Sequence, residues 1–211
     1  MDHIYGCRLD ALEQTWAVWG QIGEDLTEEQ WSRPSRCPGW DVAALYAHHS
    51  RCPLDLSTPP PAADGPVGEP LTAAEVVTRF NTPNGMAHAM AGMVADGAVV
   101  EAAAHTRGEL VDRFVVHGRR ALQILRSTEP TLVGPWPASG GVITLVEALR
   151  LALMEATVHL LDVQRALDHP PEVPPEALRD TVQLLAEVAP PVDFIEAATE
   201  RSTHSRLPVL R

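Results

Sequence analysis

Apolar side chains recur at helical spacing along most of the chain, and the alternation that marks a half-buried strand is scarce. Leu9, Leu12, Trp16, Trp19 and Ile22 predict a first amphipathic helix over roughly residues 9–26. Thr27 with Gln30 makes a capping-box pattern for a short helical turn, which the loop Pro34–Gly39 stops. Asp41 is the expected N-cap of a second helix, 42–52, which carries His48 and His49. From Pro53 to Pro70 the chain is rich in Pro, Gly and Ala, predicting an irregular connection and a candidate lid over a site. Thr72 with Glu75 opens a further helix, broken near Pro83-Asn84-Gly85. A long helix is expected over 99–127, followed by a turn-rich stretch over 134–141. Thr144 with Glu147 reads as a capping box for a strong helix running to about Leu167, where prolines end it. A helix over 176–188, a short one after Pro191 and an irregular tail complete the pattern. Four substantial helices joined by long crossovers predict an all-α fold, a four-helix bundle with additional C-terminal helices. The expectation is a single domain over 1–211, with an irregular loop near 53–70 and a C-terminal extension near 170–211.

Length and composition agree with this. The 211 residues suit one domain, and 45% hydrophobic against 21% charged is a globular balance. Acidic residues outnumber basic ones 28 to 16, a net charge of −12. So acidic a chain repels phosphate backbones and anionic lipid, which argues against nucleic-acid or membrane partners. All 16 basic residues are Arg, which excludes chemistry that needs a lysine. The N-terminal MDHIYGCRLD lacks the basic start and apolar core of a signal peptide. Cys7, Cys37 and Cys52 show no CxxC spacing or disulfide framework, so three free thiols in the cytoplasm is the expected state. Nothing in the pattern argues against a homo-oligomer.

Chemistry is most visible on the helix expected over 144–167. It is apolar nearly all round, yet Glu155, His159 and Asp162 share one stripe at i, i+4 and i+7. Ala148 and Ala152 precede them on it and leave room above the helix. Glu and His four residues apart carry their heads to nearly one point, with Cβ atoms roughly 5–6 Å apart, which suits two ligands of one divalent ion. A buried ion pair or a solvent-facing polar stripe satisfies the same spacing. A third ligand must come from another helix, where His48, His49 and Cys52 are the candidates. Adjacent histidines on a helix point about 100° apart, so at most one faces the bundle centre. Spacing alone does not choose between them.

The residues Leu26 to His49, LTEEQWSRPSRCPGWDVAALYAHH, resemble the N-terminal signature of the DinB-like, mycothiol-dependent maleylpyruvate isomerase family. That signature has a Trp soon after Leu-Thr, a Ser-x-Cys-Pro-Gly-Trp loop and a helix with a histidine. EATVHLLDV, Glu155 to Val163, resembles the family's second motif, Glu-x-x-x-His-x-x-Asp. The tail segments 194–199 and 207–211 are similar to the same group. The resemblance implies a DinB-like four-helix bundle whose divalent metal, zinc by expectation, is held by His48, Glu155 and His159. It implies mycothiol as thiol co-substrate and a small electrophile as the other partner. Two departures stand out. The sequence shows no counterpart of the extra C-terminal domain of the fuller isomerases, and His49 stands where an apolar residue is common.

Two histidines and one carboxylate leave a coordination position open, the arrangement of catalytic zinc, and an open position can take and ionise a thiol. The expected activity is S-transfer from mycothiol to an electrophile, or isomerisation of a maleylpyruvate-like acid. Asp162 is read as orienting a ligand or a cofactor amine. Trp40 and Trp136 sit beside turns, as pocket walls or core, and Cys37 and Cys52 are read as bystanders. A thiol-independent metal hydrolase and a non-catalytic metal-binding module are the other readings.

Overall fold

The computed structural model describes residues 3–59, 68–136 and 140–201. Helix α1 runs His3–Asp25, α2 Glu28–Trp31, α3 Val42–Asp55, α4 Ala73–Phe80 and α5 Met86–Ala104. Next, α6 (Arg107–Asp112), a π-helical segment (Arg113–Gly118) and α7 (Arg119–Ser127) form one continuous rod. A hairpin of β1 (Val133–Trp136) and β2 (Gly141–Thr144) leads to α8 (Leu145–Ala166). Helices α9 (Pro175–Val188) and α10 (Pro191–Ala198) follow. The all-α reading holds, and the bundle consists of α1, α3, α8 and the α6–α7 rod.

Capping chemistry explains the starts of α2, α3, α4 and α6. Thr27 and Gln30, and Thr72 and Glu75, each form the reciprocal capping box their spacing predicts, and the Asp41 side chain accepts from Ala44 N at 2.8 Å. The helix expected over 99–127 is not continuous. Thr106 and Glu109 make an overlooked capping box, which ends α5 at Ala104 and begins α6 at Arg107. Residues 86–98, which show no amphipathic stripe, belong to α5; Ala and Met carry the helix by propensity, and Ala98 is its one buried residue. Helix α3 continues three residues past the expected end, with Pro53 inside it.

Two further expectations need correction. The stretch expected to be all turn contributes an antiparallel hairpin with Val133 opposite Thr144 and Trp136 opposite Gly141. Thr144 and Glu147 do not form a box. Thr144 makes no side-chain cap, and Glu147 instead accepts from Ala73 N at 2.7 Å, satisfying an orphan donor at the start of α4. The 60–67 part of the expected loop and lid, and residues 202–211 of the tail, lie outside the described residues.

The main core is built on aromatic rings. Trp19 on α1 stacks on Phe114 of the π-helical segment at 5.2 Å, and its ring lies 5.3 Å from Tyr46 and 4.8 Å from His49, both on α3. The Trp19 indole donates to Ala156 O of α8 at 3.1 Å, and Tyr46 Oη donates to Trp19 O at 3.0 Å. A second cluster, with Leu71, Val76, Ile143, Met154 and Leu184, seats α4, the hairpin and α9 on the other side of α8. Ala148 packs against this cluster, so it opens no space. Ion pairs finish the docking of α9: a largely buried one from Arg8 to Asp180 at 3.0 Å, and one from buried Arg150 to half-exposed Glu187 at 2.7 Å. Among the described residues, no helix is long and apolar enough to cross a membrane.

Gly23 of α1 lies tight against Tyr46 of α3 and Val111 of α6. A Cβ there would run into Tyr46 Oη and lie 2.7 Å from Val111 Cγ2. Gly→Ala in a helix ordinarily stabilises by up to about 1 kcal/mol. Here overpacking reverses the sign, and Gly23→Ala should destabilise by about 1–3 kcal/mol in urea unfolding. An unchanged or raised midpoint would show that α1 has room to move away.

Candidate metal centre

Three elements converge at one end of the α3–α8 contact. Helix α8 offers Glu155, His159 and Asp162 along one face. Helix α3 offers His48. The loop between α2 and α3 offers Arg36 and Cys37. That loop is closed on itself: Ser35 N donates to Trp40 O at 2.9 Å, Val42 N to Arg33 O at 2.9 Å and Trp40 N to Cys37 O at 3.1 Å. Pro38 and Gly39 occupy the corner, and Gly39 has φ +80°, a left-handed conformation that other residues adopt at a cost. The side chains of Arg36 and Cys37 consequently reach α8.

His159 lies at the centre. Its Nε2 is 3.4 Å from Glu155 Oε2 and its Nδ1 is 3.2 Å from Asp162 Oδ2. The His48 ring is 5.4 Å from the His159 ring and nearly perpendicular to it, at 89°. Trp40 covers His48 at 4.8 Å, and its indole donates to Ala95 O of α5 at 3.1 Å, joining the wall of the site to that helix. Asp162 is held from outside by Arg36, which places two nitrogens on Oδ1, at 2.7 and 3.1 Å. Cys37 Sγ lies 3.6 Å from Asp162 Oδ2.

The sequence-predicted residues sort cleanly. His48, Glu155, His159 and Asp162 come together. His49 packs into the core, 3% exposed against Trp19 and Phe114, with its Nε2 unpartnered and its ring 6.1 Å from that of His159. The Glu155 side chain is half exposed, at 50%, so it lines an accessible edge. Asp162 faces His159 and Arg36 and is only 8% exposed. Cys37 is no bystander in position, since it reaches the same carboxylate. Cys52 stays close enough to Glu155 to feel its charge; burial first, then Glu155 and Asp55, push its thiol up to about 12. Trp136 packs against the second core cluster, away from the site. Arg36 was not anticipated. The signal available was its place in a tight Pro-Gly loop, which says nothing of where the loop docks.

Electrostatics divides the two histidines. Burial, then the charge of His159, lowers His48 to about 4, so it presents a neutral ring with a free lone pair at neutral pH. Burial also opposes charge on His159. Its hydrogen bonds to Asp162, Cys37 and Glu155, with the charge of Glu155, outweigh burial and raise its pKa well above the ordinary value. Burial tends to raise Glu155 and Asp162, but His159 holds both carboxyls below their usual range, assisted by Arg36 at Asp162.

The donor chemistry fits a divalent ion. A neutral imidazole, an ionised carboxylate and a second imidazole meet at an accessible edge, and Asp162 accepts from the far nitrogen of His159. A carboxylate so placed fixes the tautomer and makes the ring more basic toward a metal. The structure thus shows a helical-bundle domain that gathers histidines and carboxylates where α3 meets α8; among the described residues, the three side chains whose ligand atoms lie within 4.8 Å of one another are Cys37, His159 and Asp162. The family model described as the mycothiol maleylpyruvate isomerase N-terminal domain matches residues 12–164, and the chain belongs to that family. Membership implies a mycothiol-associated, metal-binding, DinB-like domain. Neither the curated proteins nor the solved structures include a significant match to the chain.

In metal-free protein the His159 imidazolium contributes stability that is fully present below about pH 6.5 and lost as pH rises through its raised folded value. His48 acts in the opposite sense. Its contribution is present above about pH 6.5 and lost as pH falls toward its folded value of about 4. Asp162→Asn removes a charge and an acceptor from His159, so the His159 ring should titrate at lower pH in an NMR titration of chelator-treated protein. An unmoved midpoint would remove Asp162 from the role given to it.

Proposed function

We propose that this protein is a metal-dependent enzyme that presents mycothiol, as thiolate, to a small electrophile, releasing an S-conjugate or an isomerised acid. The observation that carries the reading is the meeting of Glu155 and His159 at 3.4 Å beside a neutral His48, at an edge where Glu155 is half exposed. His48, Glu155 and His159 would hold the ion, zinc being the first expectation for this ligand type. When bound, the ion supplies positive charge that lowers the pKa of a coordinating thiol and localises the thiolate.

The chain's own groups do the rest. Asp162 keeps the proton of His159 on Nδ1, so Nε2 is directed toward Glu155. Arg36 neutralises Asp162 and fixes its rotamer through Oδ1. Trp40 covers one side of His48, excluding water there and giving the site an apolar wall. Cys52, with its thiol held neutral, does not compete as a nucleophile at neutral pH. In this reading the thiol that reacts is mycothiol, supplied from outside the chain. The cytoplasmic setting belongs with this reading, since a low-molecular-weight thiol co-substrate needs a reducing compartment.

Equilibrium dialysis should find one divalent ion per chain. His159→Ala and His48→Ala should each weaken binding by more than about a hundredfold. His49→Ala should leave metal affinity near wild type while lowering thermal stability, because it empties a core position. Greater metal loss at His49 than at His48 would overturn the ligand assignment.

Activity is tested with mycothiol and monochlorobimane or maleylpyruvate, using metal-loaded and metal-stripped protein. Product is expected only with both metal and thiol. Turnover of the electrophile without thiol would replace this reading with hydrolysis. Absence of turnover in fully loaded protein would leave a binding module.

A further inference from the structure

His159 meets carboxylates through both ring nitrogens, and the proposed function places an ion only on the Nε2 side. On the Nδ1 side a second donor set is assembled from two separate elements: Asp162 and His159 from α8, and Cys37 from the α2–α3 loop. One ligand atom from each of the three lies within 4.8 Å of the other two. The measured edges are 3.2 Å from His159 Nδ1 to Asp162 Oδ2 and 3.6 Å from Cys37 Sγ to the same oxygen. Tetrahedral coordination with bonds of about 2.0–2.3 Å to N, O and S separates ligand atoms by about 3.3–3.7 Å. The two edges are therefore close to ligand spacing without any change of backbone.

We propose that Cys37, Asp162 and Nδ1 of His159 form a second cation position, suited to thiophilic divalent ions and distinct from the set of His48 and Glu155. The donor types set the selectivity. A thiolate with an imidazole favours soft or borderline ions such as cadmium and zinc over magnesium or calcium. Arg36 occupies Oδ1 of Asp162 and leaves Oδ2 to the cation. Cys37 is partly exposed, so the approach from solvent runs past its sulfur.

Proton balance is simple. In the absence of a cation, the Cys37 S–H and the His159 Nδ1–H both point at Asp162 Oδ2. Binding breaks those two bonds to hydrogen, releases two protons to solvent and forms bonds from the ion to sulfur, nitrogen and the already ionised carboxylate. Uptake should accordingly strengthen as pH rises. A neutral imidazole has one lone pair, so the two positions compete for His159. A thiophilic ion bound at Cys37 takes the ring away from the Glu155 side and inhibits. The inhibitory consequence depends on the proposed thiol transfer; the cation position does not.

The test is a cadmium titration of the chelator-treated full chain, followed by thiolate-to-cadmium charge-transfer absorption in the ultraviolet. Wild type and His48→Ala should both develop the band. Cys37→Ser should lose it and bind cadmium at least about tenfold more weakly, whereas Cys52→Ser and Cys7→Ser should retain it. Circular dichroism confirms that each variant is folded, and Asp162→Asn supplies a nearly isosteric second probe, expected to weaken the band. A band that survives Cys37→Ser, or that is absent from wild type, overturns the proposal. Zinc dialysis separates the two sites. In the Cys37→Ser background, zinc binding left unchanged by adding His48→Ala would sink the first assignment and leave the cadmium result standing, and a cadmium failure would leave the first assignment untouched.

Discussion

A single indole organises this protein. Trp19 is fully buried, so its N–H must be satisfied inside the core, and the acceptor is the carbonyl of Ala156. That bond fixes the rotation of α8 about its own axis at the residue beside Glu155, and Glu155 with His159 is turned away from the core as a result. The same ring lies against His49, while its carbonyl accepts from Tyr46. Helix α3 is thereby locked with His49 inward and His48 about 100° away, facing α8. One residue on a third helix sets the phase of both helices that meet at the site.

From that geometry follows an unequal pair of histidines within a few ångströms. His48 is kept neutral because it is enclosed and lies next to a cation. His159 is kept charged in the metal-free protein because two carboxylates clasp it. The clasp also explains why an acidic chain can place Glu155 and Asp162 on one face of an apolar helix: His159 lies between them, and Arg36 closes the far end. Four side chains alternate in charge along a line, from Glu155 to His159 to Asp162 to Arg36. Each removes part of the desolvation cost of the next.

Much of this was legible in the sequence, for reasons that differ by element. Capping boxes and helix periodicity are local, so α2, α3, α4 and α8 follow from a few residues each. The Glu155, His159 and Asp162 stripe is equally local. The placing of His49 against Trp19, with His48 toward α8, was not, since it depends on a contact between distant helices; the resemblance to a family was what favoured His48. Arg36 and Cys37 were missed or dismissed because loop docking is a long-range property: more than a hundred residues separate them from Asp162. The break at His105 was hidden by good helix formers on both sides, although Thr106 and Glu109 signalled it. Glu147 kept the spacing of a box and found a better use, because an unpaired donor on α4 lay within reach.

Helix α5 has a single buried residue, and its Met93 and Val100 are 69% and 67% exposed. What holds it is its packing against α3, Ala102 against the main core and the ion pair of Glu101 with Arg113 at 2.6 Å. Trp40 is hydrogen-bonded to its backbone, and His48 rests beneath Trp40. Local melting of α5 would therefore detach the indole from its anchor while the core around Trp19 stayed intact. The cover of His48 and the placement of its donor set thus answer to different parts of the molecule, the first to α5 and the second to the core around Trp19.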